Sequence, residues 1–179
     1  MTLQEIVTQA LRRLKRATDG QALVKYTPEV LFNVNEGIIL IAQRYHQALK
    51  ETVALTDGTF AKSLLSHRVF EITDVQASGS SVGFSETFAG SGVFEVDTTA
   101  TSVDVIYRFV PDELSNATDA PEIPEEYHGM LVNHVVGNEQ VGSDPSLQAI
   151  AAANFNMFNA KLNAIIPCDI PTVLTGYYT

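Results

Sequence analysis

Four histidines and one cysteine are the side chains of this sequence best suited to holding a metal or attacking an electrophile. His128 and His134 stand six residues apart, on different faces of a helix rather than at the four-residue spacing of a zinc pair. With that spacing a zinc site is not expected, and the histidines, His46 and His67 included, read as packed or solvated side chains. Cys168 sits after a proline with no adjacent His or Lys, and nothing in the sequence activates it. Gly90-Ser91-Gly92 has the glycines of a phosphate loop but lacks the following Lys-Ser/Thr and leads into a strand pattern. Gly83-Phe84-Ser85-Glu86-Thr87 lacks the second glycine of a nucleophile elbow. The carboxylate pairs Asp112-Glu113 and Glu125-Glu126 are ordinary for connectors and helix starts, where acids suit the dipole. No acidic stretch alternates oxygen ligands as a calcium loop does. The expectation is no enzyme, no metal and no cofactor.

One cluster could touch phosphate: Arg12, Arg13, Lys15 and Arg16. Four charges without interleaved aromatics are also what a solvated helix end looks like. The charge balance points the second way. Residues 1–70 carry nine basic and six acidic side chains, whereas residues 71–179 carry two basic and fifteen acidic, and the net charge is -10. Most of such a surface repels nucleic acid. Composition adds further exclusions. The 45% hydrophobic and 18% charged content is too apolar for a disordered chain. Apolar runs such as Gly37-Ile38-Ile39-Leu40-Ile41-Ala42 are too short to span a bilayer. Met1–Leu11 lacks the basic-then-apolar order of an export signal, and a single cysteine suits a reducing compartment. A cytoplasmic protein without a membrane partner is expected.

The elements that would position these residues follow from periodicity. Leu3, Ile6, Val7, Ala10, Leu11 and Leu14 mark a helix over Thr2–Thr18, opened by the capping box Thr2/Glu5 and ended by Asp19-Gly20. Thr27-Pro28-Glu29 starts a second helix, with Pro at its first position and a stripe of Val30, Val34, Ile38, Ile41, Tyr45 and Ala48. Gly37 inside it suits close packing against another helix. Strand grammar follows at Thr52–Leu55, Arg68–Val75, Ser81–Thr87, Gly92–Thr98 and Ser102–Val110, with hairpin turns at Ala77–Ser80 and Ala89–Gly92. An acidic, proline-rich connector leads to a helix at Ile123-Pro124-Glu125-Glu126 and, after Asp144-Pro145, to a last helix over Ser146–Ile165. The fold class expected is α+β: a four-helix bundle with a small antiparallel β-sheet inserted between helices 2 and 3, plus an extended C-terminal tail. The bundle takes residues 1–50 and 120–165, the β-meander 51–111, and the tail 166–179.

Three segments together carry a resemblance. The first is the strand Val103-Asp104-Val105-Ile106-Tyr107-Arg108-Phe109-Val110 running into Pro111-Asp112-Glu113-Leu114. The second is Ile123-Pro124-Glu125-Glu126-Tyr127-His128-Gly129-Met130-Leu131. The third is the helix ending Phe155-Asn156-Met157-Phe158-Asn159-Ala160-Lys161-Leu162. This order, preceded by a helix holding Asn33-x-Asn35-Glu36-Gly37, resembles the head-to-tail adaptor (head completion, connector) proteins of tailed bacteriophages. It departs from them in having no Trp and no proline near Leu64-Leu65.

The resemblance implies a virion protein of the neck, between capsid portal and tail, found in the host cytoplasm during assembly. It implies a homo-oligomeric ring, a dodecamer, that docks on the portal protein ring, extends the DNA channel and offers an attachment surface to tail or tail-completion proteins. DNA would pass through without specific binding. Consecutive apolar positions Ile38, Ile39 and Ile41, with Tyr45, would then supply an inter-subunit helix. The apolar tail residues Ile170, Pro171, Val173, Leu174, Tyr177 and Tyr178 would dock into the portal as an extended peptide. The alternatives are a tail-side completion protein, or a small nucleic-acid-binding regulator using Arg12, Arg13, Lys15 and Arg16.

Overall fold

The computed structural model describes residues 1–139, 145–168 and 172–173. They form two compact units: one of Met1–Tyr45 with Pro111–Ile166, the other of His46–Val110 together with a short strand near the C-terminus.

The first unit is helical, with α1 (Leu3–Arg13), α2 (Gly20–Tyr45), α3 (Glu125–Glu139) and α4 (Pro145–Ala164). The Thr2/Glu5 capping box opens α1, whose inward face is Leu3, Ile6, Val7, Ala10 and Leu11. Two further amide groups at its start are satisfied from afar: Leu3 N–H donates to the Asp119 carbonyl (2.8 Å) and Gln4 N–H to that of Ala117 (3.0 Å). The helix ends earlier than Thr18. Lys15 adopts φ 54°, its N–H reaches the Arg12 carbonyl, and the Arg16 N–H reaches that of Leu11, a Schellman arrangement without glycine.

Asp19-Gly20 does not close α1; it opens α2. The Asp19 carboxylate accepts the Ala22 N–H at 2.9 Å, the bond of an N-cap. Pro28 therefore lies inside a helix of 26 residues rather than at its start. The amide it lacks would have bonded the carbonyl of Val24, a residue 79% exposed. At the far end α2 stops at Tyr45, His46 takes φ 58°, and Ala48 to Lys50 belong to a strand, so Ala48 is no part of the helical stripe.

The four helices do not make a four-helix bundle, which corrects the expected fold class. A bundle needs each helix to give one apolar stripe to a shared axis. Here α3 is buried at every position from Met130 to Gly137, so it is an enclosed central helix. It packs broadly on α1, α2 and α4, whereas α2 and α4 meet only narrowly. Two glycines permit the close approaches. A Cβ at Gly37 would stand 3.0 Å from Leu131 Cδ2 and 3.1 Å from His134 Cδ2, and one at Gly137 would stand 3.2 Å from Phe155 Cα.

The connector of residues 111–124 belongs to this unit. Leu114 and Ile123 enter its core, and Asn35 clamps Leu114 by both backbone groups, at 3.2 Å to the carbonyl and 3.0 Å from the amide.

The second unit holds two sheets where one was expected. The larger runs β4 (Ser80–Ser81), β3 (Arg68–Ala77), β7 (Ser102–Val110), β1 (Ala48–Ala54), β8 (Thr172–Val173). The smaller runs β2 (Thr59–Ala61), β6 (Val93–Val96), β5 (Phe84–Glu86). Along β7, Val103, Val105, Tyr107 and Phe109 point into the core and their neighbours do not. β1 pairs antiparallel with β7 from Ala48↔Arg108 to Ala54↔Ser102. Register shifts at Val69/Glu71 and Ile72/Asp74 mark irregularities in β3. The Ala77–Ser80 turn has positive φ at Ser78 and Gly79, as a two-residue hairpin requires. β8 pairs parallel with β1 through Leu49↔Thr172 and Lys50↔Val173, so the C-terminal segment is not wholly an unpaired extension.

Candidate functional site

Two of the four histidines singled out for chemistry, His128 and His134, are engaged in the helical core. His128 is 3% exposed; its Nε2 lies 2.9 Å from the Ile123 carbonyl and its Nδ1 2.7 Å from the Met1 amino group. His134 is equally buried, with Nε2 3.0 Å from both Glu36 Oε2 and Asn138 Nδ2 and its ring against Phe158. Burial pushes the His134 pKa down from its ordinary value, and the Glu36 carboxylate opposes that only in part. Glu125 and Glu126 lie in the first turn of α3.

In the β unit, the Glu51 carboxylate gathers the Ser66 hydroxyl and amide and the Tyr107 hydroxyl. Burial disfavours its charge, but those hydrogen bonds prevail and hold its pKa below the ordinary value. Tyr107 is pushed upward, by burial first and by its bond to Glu51 second. The Gly90 to Gly92 loop turns its amides on its own Glu86 carboxylate, at 3.1 and 2.8 Å. Those two amides are therefore already occupied, and the loop is braced from within.

The basic cluster is divided. Arg13 donates to Asn133 on α3, covering a buried polar side chain of the central helix. Arg16 stands over the Tyr26 ring at 4.7 Å and 3.9 Å from Glu29. Lys15 is the left-handed residue that ends α1, and Arg12 is exposed. Among the described residues, Arg13 and Arg16 thus have partners within the chain.

Of the proposed inter-subunit residues, Ile38 and Ile41 are buried in the chain's own core. Tyr45 packs edge-on against Tyr127, with ring centroids 5.6 Å apart. Ile39 alone of the four faces a groove. Among the tail residues, Val173 lies in β8, while Ile170, Pro171, Leu174, Tyr177 and Tyr178 fall outside the described residues.

That groove is lined within the helical unit by α2 and Glu113. It occupies about 420 Å³ along the outward side of α2, floored by Pro28, Leu31, Phe32, Ile39 and Leu40. Asn35, Glu36 and Glu113 edge it, Glu113 being held there by the Asn35 clamp on its neighbour Leu114. Phe32 is 71% exposed. One side of α2 therefore enters the core through Val30, Val34, Ile38 and Ile41, and another shows apolar groups to solvent. The second stripe was readable in the sequence: Val24, Pro28, Leu31, Phe32 and Ile39 recur at three, four and seven residues, but the stronger inward stripe masks it. No helix among the described residues is long and apolar enough to cross a membrane. No protein-family model matches the chain, and no curated protein matches it.

Proposed function

We propose that the chain is a structural virion protein, a head-to-tail adaptor that assembles as a ring on the portal and carries the tail or its completion proteins. The observation that carries this reading is the double-sided apolarity of α2, with a buried stripe inside and the Phe32 groove outside. A helix of a self-contained domain needs only the first. The segment order that resembles head-to-tail adaptors gives the outer face its role as a contact between subunits or with the portal. The protein performs no catalysis in this reading, and it resides in the virion neck. The acidic excess of residues 71–179 suits a channel wall past which DNA moves without sticking.

The test is reconstitution with a portal protein from the genome that encodes the chain. The full chain is expected to co-sediment with portal rings and to add a ring of density at the portal's tail-facing end in electron micrographs. Portal rings that emerge bare from a molar excess of folded chain would overturn the reading.

A further inference from the structure

α4 is a helix of 20 residues that carries a single charged side chain, Lys161. Among the residues whose burial is described, Ala151, Phe158 and Ile165 are the buried positions of this region, one seam at seven-residue spacing. Outside the seam, Ile150 is 37% exposed and Met157 50% exposed. Gln148, Asn156 and Asn163 give the helix a polar solvent side, but Ile150 and Met157 put apolar groups on an outer side that its own unit leaves open. Ile150, Met157 and Lys161 share one side, separated by seven and four residues.

The α2 groove is the counterpart. Its floor is apolar through Leu31, Phe32 and Ile39, and its charged edge groups are the carboxylates of Glu36 and Glu113. No residue of α4 lines it. One surface thus offers apolar groups with a cation and no anion, the other apolar groups with anions and no cation, and both belong to one compact unit.

We infer that the α2 groove receives α4 of a second copy of this chain, with Met157 against Phe32 and Ile39 and with Lys161 beside Glu36 and Glu113. This names the occupant of the groove and rests on the reading that copies assemble. The contact is heterologous: each copy presents a groove to one neighbour and α4 to the other, so it propagates until a rotation closes it into a ring.

The experiment uses the full chain and two charge variants, Phe32→Glu in the groove and Met157→Glu on α4. Both positions are exposed, so circular dichroism and thermal midpoints serve as the control that each variant is folded. By sedimentation, the unaltered chain is expected to associate, and each variant to associate at least about tenfold more weakly. An equimolar mixture of the two variants retains one intact contact, so it is expected to give heterodimers that grow no further. As a second measurement, a photo-crosslinker at position 32 should capture an α4 peptide of another copy in a mixture of isotopically light and heavy chains.

Several results would overturn the inference. They are a chain that stays monomeric to about 1 mM, either variant associating like the unaltered chain, a variant mixture that remains monomeric, or a crosslink joining α2 to α2. The portal test stands apart. Self-association without portal binding defeats the adaptor reading alone, and portal binding by a chain that never self-associates defeats this inference alone.

Discussion

Gly137 shows how one missing carbon sets an approach between helices. The atoms a Cβ would meet there are backbone atoms of Phe155, which cannot rotate away, at 3.2 Å. Gly137→Ala gains about 1 kcal/mol of helix propensity but forces α3 and α4 apart, at a cost of about 1–3 kcal/mol. A net loss is expected, read as a lower midpoint in urea at unchanged m-value; a higher midpoint would show that α4 shifts freely. His134 gives a second residue-scale prediction. Its pKa is lower in the folded chain than in the unfolded one, so the unfolded chain takes up a proton first as pH falls. The corresponding stability is complete above about pH 7 and declines from about pH 6.5 downward. Glu51, Glu86, Asp104 and Asp119 are also lowered, but as carboxyls they lose their contribution only at more acid pH, as protons reach their folded pKa values. Stability measured against pH should therefore fall in two stages, and His134→Gln should remove the earlier one. Persistence of the early stage in that variant would assign it to another group.

Elements differed in how far they could be read from sequence, and the differences have local causes. The capping box of α1 and the alternation of β7 were legible because each is complete within a few residues. The start of α2 was not, because Pro28 is a strong start signal and Asp19-Gly20 an equally strong stop signal. Both were outweighed by one carboxylate turning toward the Ala22 amide. The expected bundle failed at α3, whose unbroken burial from Met130 to Gly137 includes Asn133 and His134. Those two polar residues are accommodated there by Arg13 and Glu36, partners that no local pattern announces. The parallel pairing of β8 with β1 joins residues too distant in sequence for any periodicity to announce. The candidate groove needed a second, weaker stripe to be noticed beside a dominant one. Asp19→Ala tests the element that moved most. It should cost about 1 kcal/mol and reduce far-UV ellipticity as α2 retreats toward Pro28. Unchanged ellipticity would mean that the turns before Pro28 are held by packing instead.

At the scale of the whole molecule, the β unit leaves and rejoins the helical unit at neighbouring points, since Ala48 pairs with Arg108. Replacing residues 48–108 by a short Gly-Ser bridge should therefore leave a helical unit that still melts cooperatively. A chain with no cooperative transition after that replacement would show that the helices need the sheet. The pairing also has a thermodynamic side. While the sheet is folded, the helices are joined by what amounts to a turn; when it unfolds, they must close a loop of some sixty residues. Each doubling of loop length costs about 0.6 kcal/mol, so the difference is about 2–3 kcal/mol. Folding of the sheet thus raises the stability of the helices through chain entropy, which links the two units thermodynamically.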